Sequence, residues 1–309
     1  MEYLFGIDIG GTTVKIGCLD NEGNILSKYE IKTNKENNGS NILKDIATSL
    51  LGYIKDNNIN EKDIKGIGFG VPGPVSNNIV TLCVNLGWGR VDMVKEFSSL
   101  IPFKTNIACG NDANVAAIGE MWKGTDSTYS NAIMLTLGTG VGGGVIVNNK
   151  AIDGINGAGG ELGHIKVDFK HNFQCNCGLK GCLETVTSAT GVVNIAKKYL
   201  LTEKSIMSDI KELTCKDVFD SASKKDSLAL KVVDEVCATL GYTCSVLAAT
   251  TDPEVFIIGG GVSKAGNILI DGIYKYYKEY AFKVVRETPI VLATLGNDAG
   301  MIGAAFLVK

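Results

Sequence analysis

The feature that most constrains this chain is a unit that occurs twice: an apolar strand, a glycine-rich turn and a second strand, at residues 3–19 and again at 132–147. Tyr3 to Ile9 and Val14 to Leu19 flank Gly10-Gly11-Thr12-Thr13, while Ala132 to Leu137 and Val145 to Val147 flank the run Gly138 to Gly144. A second echo is sharper: Asn111-Asp112-Ala113 with Gly119 matches Asn297-Asp298-Ala299 with Gly303. Two halves on one plan predict an α/β protein of two similar lobes with a ligand in the cleft between them. Between the echoes, strand and helix patterns alternate. Asn24 to Ile31 and Ile64 to Val71 read as strands. Ser40 to Lys55 carries Ile42, Leu43, Ile46, Leu50 and Ile54 at helical spacing. Ala113 to Trp122, Leu228 to Ala249 and Ala299 to Val308 read as helices, and Val255 to Ile258 as a strand. Mixed sheets covered by helices follow.

Composition sharpens this reading. A chain of 309 residues suggests two domains. Glycine is abundant at 38 and proline scarce at 5, which fits tight turns in a folded chain more than a flexible tract. The net charge, 30 − 33 = −3, argues against nucleic acid as partner. The first residues show no basic, then apolar, leader pattern, and the uncharged stretch Ser127 to Asn149 is studded with Thr, Asn and Gly. It reads as strands around turns, so no membrane partner is expected. Cys18, Cys83, Cys109, Cys215, Cys237 and Cys244 are scattered among apolar residues and read as reduced core thiols of a cytoplasmic protein.

Four motifs carry chemistry. Asp8-Ile9-Gly10-Gly11-Thr12-Thr13 joins two strands; its N–H groups and hydroxyls suit a phosphate, and Asp8 a water on Mg2+. Alone it is also an ordinary hairpin. Gly138-Thr139-Gly140-Val141-Gly142-Gly143 matches a dinucleotide fingerprint only formally, because a strand pattern and not a helix follows it. What survives is a second phosphate-facing hairpin. Asn111-Asp112 stands at a strand-to-helix junction, where an Asp is either an N-cap or a general base, and Asp298 competes for that role. Finally, Cys175, Cys177 and Cys182 lie within eight residues among glycines, the form of a structural zinc loop. A fourth ligand is needed, and His164 and His171 are equal candidates by spacing.

These residues together resemble the ROK sugar kinases, and among them the bacterial glucokinases. The resemblance rests on Asp8-Ile9-Gly10-Gly11-Thr12, Pro72-Gly73-Pro74, Asn85-Leu86, Asn111-Asp112-Ala113-Asn114, Leu137-Gly138-Thr139-Gly140, Glu161-Leu162-Gly163-His164, Cys175 to Glu184 and Ile258-Gly259-Gly260-Gly261. It implies an actin/hexokinase-like (ribonuclease H-like) fold, with residues 1–112 and 297–309 in one lobe and 113–296 in the other, the zinc loop in the second. It implies ATP on the turns Gly10, Gly11, Thr12, Thr13 and Gly138, Thr139, Gly140, with adenosine near Gly259, Gly260 and Gly261. It assigns Asp112 as catalytic base and Asp298 as a structural N-cap. His164 becomes the zinc ligand with the three cysteines, and His171 an exposed loop residue. Gly73, Asn85, Asn111, Asp112, Glu161, His164 and Glu184 would bind the sugar. The implied reaction is ATP-dependent phosphorylation of a hexose, most simply glucose, with Mg2+ on the phosphates. N-acetylmannosamine, fructose and allose kinases, and polyphosphate as donor, are the near alternatives. The family's sugar-sensing repressors carry a helix-turn-helix ahead of the first glycine motif; here Asp8 is the eighth residue, which disfavours that reading. A homodimer or homotetramer is the family expectation.

Overall fold

A computed structural model describes residues 2–125 and 129–309. The uncharged stretch read above begins at Ser127, and Ser127 and Thr128 lie outside the described residues. The chain opens with β1 (Tyr3–Ile9), β2 (Thr13–Leu19) and β3 (Ile25–Lys32). A single turn α1 (Glu36–Gly39) leads to α2 (Ile42–Asp56), which buries Ile42, Leu43, Ile46, Leu50 and Ile54 on one face. There follow β4 (Ile64–Val71), β5 (Val75–Ser76), β6 (Ile79–Val80), β7 (Val91–Asp92), α3 (Met93–Ser98), β8 (Asn106–Asn111) and α4 (Asp112–Gly119). The second half holds β9 (Ala132–Leu137), β10 (Val141–Val147), β11 (Lys150–Ala151), α5 (Glu184–Thr187), α6 (Ala189–Leu200), α7 (Cys215–Ser223), α8 (Ser227–Thr251), β12 (Val255–Gly259), α9 (Asn267–Tyr280), β13 (Ile290–Leu292) and α10 (Ala299–Phe306).

The echo in the sequence becomes an echo of sheets. The first sheet runs β3-β2-β1-β4-β8, with β1 antiparallel to β2 and parallel to β4. The second runs β11-β10-β9-β12-β13, with β9 parallel to β12 and β12 parallel to β13. Parallel strands buried on both faces require continuous apolar runs, and Gly66–Val71, which follows the exposed Lys65, and Val255–Gly259 supply them. One local reading differs from expectation. The second glycine turn is shorter, because β10 already begins at Val141 and takes Gly142 to Gly144 into the strand. Asn148 and Asn149 have φ of 51° and 62°, the pair of left-handed residues that a two-residue hairpin needs, and they join β10 to β11.

Contacts divide the chain into two units. One holds the chain up to Tyr129, Gly144–Gly160 and Leu295–Lys309; the other holds Ser130–Gly143 and Glu161–Thr294. Thus α4 and residues 144–160 stay with the first unit, whereas the boundary expected at residue 112 put them in the second. The reason is α4 against α10. A Cβ on Gly303 would lie 1.6 Å from the Val115 carbonyl oxygen, and one on Gly119 would lie 2.1 Å from that of Ala299. Glycine at both places lets the two backbones touch, which explains the matched Gly119 and Gly303 of the sequence echo. In the second unit, α8 has the length and apolar composition of a membrane span. Its Leu228, Val232, Val236, Leu240 and Cys244 are buried, as in the core helix of a globular unit.

Candidate active site and metal centre

In the first unit, Asp8 is the penultimate residue of β1, beside the turn Gly10–Thr12. Thr33 anchors that turn from β3's end: its N–H bonds the Thr12 carbonyl at 2.9 Å and its hydroxyl the Gly10 carbonyl at 2.7 Å. Asp8 is packed against Gly70 and Gly300, where a Cβ on Gly300 would approach its carboxylate to 2.8 Å. Burial raises its pKa above the ordinary carboxylate range, and the charge of Lys15, its neighbour across the β1–β2 ladder, opposes the rise. A carboxylate held this way gains from a nearby cation, which fits it to Mg2+.

The start of α4 gathers several expected residues. Asn111 is the N-cap: its Oδ1 accepts the N–H groups of Ala113 at 3.0 Å and Asn114 at 3.3 Å. Its Nδ2 donates to the Gly73 carbonyl at 3.1 Å, fastening the Pro72–Pro74 turn to the helix. Asp112 therefore is not the cap; it occupies the first helical position, with Oδ1 2.8 Å from the Ala113 nitrogen. The loop that carries Asn85 joins the group through Cys83. Its thiol donates to the Pro72 carbonyl at 2.9 Å, and burial, with the Asp112 charge adding to it, pushes its pKa up. Asp298 stands at the N-cap position of α10 but caps nothing with its side chain, correcting the structural-cap expectation; its carboxylate pairs with Lys28 at 2.6 Å. Sequence reasoning missed Asp153. It accepts from the buried Asn114 amide at 2.9 Å and helps line a cavity of about 370 Å³ beside α4. Burial raises its pKa.

In the second unit, His164, Cys175, Cys177 and Cys182 bring one ligand atom each to within 4.8 Å of one another. Cys175 Sγ lies 3.7 Å from His164 Nδ1, and Cys177 Sγ 3.7 Å from Cys182 Sγ. A tetrahedral zinc ~2.3 Å from each sulfur sets sulfurs about 3.8 Å apart, so the four residues fit that ion. The other ring nitrogen of His164 lies 3.9 Å from the Glu161 carboxylate. Glu184 touches the cluster too, with Oε1 3.7 Å from Cys175 Sγ. The structure thus brings Glu161, His164 and Glu184 together around the cysteine loop.

His171 is elsewhere, and it is not the exposed loop residue expected. Its side chain is 1% exposed. It bonds Glu235 of α8 through Nε2, faces Lys198 Nζ at 3.1 Å through Nδ1, and stacks on Phe173 with ring centroids 5.1 Å apart. Glu235 also accepts from Lys170 and the Tyr199 hydroxyl, each at 2.7 Å. This network clamps the strand of chain entering the cysteine loop onto α6 and α8. Asp168 completes the anchor by accepting the N–H groups of Lys170, His171 and Asn172.

The glycine turns of the second unit adjoin. The Gly138 N–H bonds the Gly140 carbonyl at 2.9 Å, as the Gly10 N–H bonds the Thr13 carbonyl at 2.9 Å in the first turn. Gly260 takes φ of 85° directly against the end of β9, where a Cβ would lie 2.4 Å from the Leu137 carbonyl oxygen. Gly260 thus backs directly onto Leu137, the residue before Gly138.

The sequence pattern of the ROK family matches residues 4–309. The chain is 41% identical to the glucokinase of Halalkalibacterium halodurans, over 99% of this chain and 95% of that one. It is 33% identical to the glucokinase of Thermotoga maritima, over 99% and 97%. Its fold matches a ROK family glucokinase from Streptomyces griseus, solved in complex with glucose and AMPPNP, with TM-score 0.72 and 30% identity over 99% of this chain and 98% of that one.

Proposed function

The chain belongs to the ROK family, and we propose that within it this protein is an ATP-dependent hexokinase converting glucose to glucose 6-phosphate. The observation that carries the reading is Asp112. A carboxylate sits at the first turn of α4, on a helix start fixed by the Asn111 cap and tied through it to the Gly73 turn. That is a base held in place, next to residues suited to hydroxyls.

The sugar hydroxyl attacks the γ-phosphate in line, and Asp112 accepts its proton as the bond forms. Positioning and charge stabilisation carry most of the acceleration in such a transfer. Asn111, Asn85, the Gly73 backbone, Glu161, the His164 ring nitrogen not given to the metal, and Glu184 are the residues that would orient the sugar. Gly10–Thr13 and Gly138–Gly140 supply N–H groups and hydroxyls to the phosphates, and Gly259–Gly261 a flat approach for the adenosine. Asp8 would hold a water on Mg2+, which when bound offsets charge on the phosphates. His164 and the three thiolates would hold zinc with no open position, so its role is structural. We expect a cytoplasmic homodimer or homotetramer, which light scattering tests.

An ADP-release assay over glucose, N-acetylmannosamine, N-acetylglucosamine, fructose, mannose and allose tests the reading. Glucose turnover reduced about 10²- to 10⁴-fold by Asp112→Asn is the expected result. Absence of turnover with every sugar, by folded protein, overturns it; preference for another sugar moves the substrate and keeps the chemistry.

A further inference from the structure

We propose that Glu184 is a positioning residue for the donor side of the reaction. Its carboxylate fastens the Gly138–Val141 turn to the cysteine loop, so that metal in the loop and nucleotide on the turn support one another. The kinase reading supplies the nucleotide in this statement; the clamp itself stands on geometry.

The resemblance gives Glu184 a role toward sugar. Its contacts give it another. Glu184 Oε2 accepts the Val141 N–H at 3.0 Å, and it occupies the space beside Gly140, where a Cβ would lie 2.2 Å from it. Any other residue at Gly140 would evict the carboxylate. The second oxygen, Oε1, lies 3.7 Å from Cys175 Sγ. Glu184 follows Cys182 by two residues, so the chain itself joins its carboxylate to the cysteine loop; against a zinc-bound Cys175 thiolate, which has no proton to donate, the 3.7 Å approach is a contact and not a bond.

The chain following Glu184 holds the same turn at two more points. The Ala189 N–H bonds the Gly138 carbonyl at 2.8 Å, and the Thr190 hydroxyl the Thr139 carbonyl at 3.2 Å. On the other side, Gly163, between Glu161 and His164, lies so close to Val141 that a Cβ would be 2.1 Å from its carbonyl oxygen. A turn of glycines has little stiffness of its own. Here its rigidity is lent by the metal-loop segments that surround it. A turn held in one orientation binds an anion without first ordering its N–H groups, which raises affinity. The opposing effect is plain: a carboxylate near a phosphate site repels phosphate. The two effects predict opposite outcomes for one experiment.

The experiment is calorimetric titration of Mg-ADP, without sugar, into zinc-loaded wild type, zinc-stripped wild type, Glu184→Ala and Glu184→Gln. Hydrogen–deuterium exchange of the peptide covering residues 138–142 accompanies it. Loss of a charge-assisted bond predicts about tenfold weaker ADP binding by Glu184→Ala. Glu184→Gln retains an oxygen acceptor for Val141 and recovers most of that loss, though not glucose binding. Zinc stripping weakens ADP binding in the same direction, and exchange across 138–142 accelerates in both weakened forms. Equal or tighter ADP binding by Glu184→Ala, or unchanged affinity and exchange after zinc removal, overturns the proposal. Should Glu184→Ala fail to fold, the zinc-stripped protein and Glu184→Gln still decide. Wild type that binds no ADP, yet shows the exchange differences, refutes the kinase reading and leaves the clamp standing.

Discussion

Asn111 offers a test in which one side chain performs two separable tasks. Its Oδ1 caps α4 by accepting from Ala113 and Asn114, and its Nδ2 ties the Gly73 carbonyl at 3.1 Å. Asn111→Ala removes both. A lost cap costs about 1 kcal/mol and a lost neutral hydrogen bond about 1 more, so the helix start weakens by about 2 kcal/mol. Asn111→Ser keeps a capping oxygen and removes only the tether, so it costs about 1 kcal/mol. At about 1.4 kcal/mol per factor of ten, amide protection falls about 30-fold in the first variant and about 5-fold in the second. Ala113 retains another acceptor, Asp112 Oδ1 at 2.8 Å, so the change concentrates at the Asn114 amide. The same bond sets the effect on rate. Without Asn111, the Asp112 carboxylate is drawn into capping and away from the hydroxyl proton. We expect kcat to fall about tenfold to a hundredfold in Asn111→Ala and less in Asn111→Ser. Residue-resolved hydrogen exchange across 112–116 and steady-state kinetics read both effects. A wild-type exchange rate at Asn114 in Asn111→Ala refutes the capping argument. Equal kinetics for the serine and alanine variants refute the division of labour.

Three further outcomes follow from other contacts. Asp8→Asn removes a carboxylate whose pKa burial has raised, a group that weighs against the folded state once ionised. The variant should resist urea better than wild type near neutral pH while losing about 10- to 100-fold in activity; a less stable Asp8→Asn sinks this account. Cys177→Ser should lower zinc content and thermal stability together, and full stability in zinc-depleted protein counts against a structural ion. Burial acts to raise the Glu235 pKa, but bonds from Lys170, Tyr199 and His171 outweigh it and hold the carboxyl below its ordinary 4.5. Its contribution to stability is thus present above about pH 4.5 and is lost as pH falls through the lower folded value. Glu235→Gln should flatten the decline in urea midpoint between about pH 6 and pH 3, and an unchanged slope refutes it.

Much was legible in the linear order because it depends on neighbours along the chain. Apolar runs and alternation placed β1, β4, β9 and β12 within a residue at each end. The spacing of Cys175, Cys177 and Cys182 marked a metal loop, since three thiols so close can converge on one ion whatever surrounds them. The two glycine turns were visible as breaks between strands. Other features were decided only by folding. Two histidines were equal by spacing; the family resemblance chose His164, the folded chain puts its Nδ1 with the thiols, and only the folded chain buries His171 against Glu235. Two Asn-Asp pairs look alike in sequence. Yet Asn111 caps its helix, while Asp298 turns to Lys28, some 270 residues distant in the chain. The unit boundary was misplaced for the same reason, because α4 is held by α10 from the far end of the sequence. Periodicity and turn chemistry act over a few residues and survive in a string of letters. A bond between Glu184 and Val141, or between Glu235 and His171, exists only after the backbone has returned on itself, and no local pattern encodes where it will return.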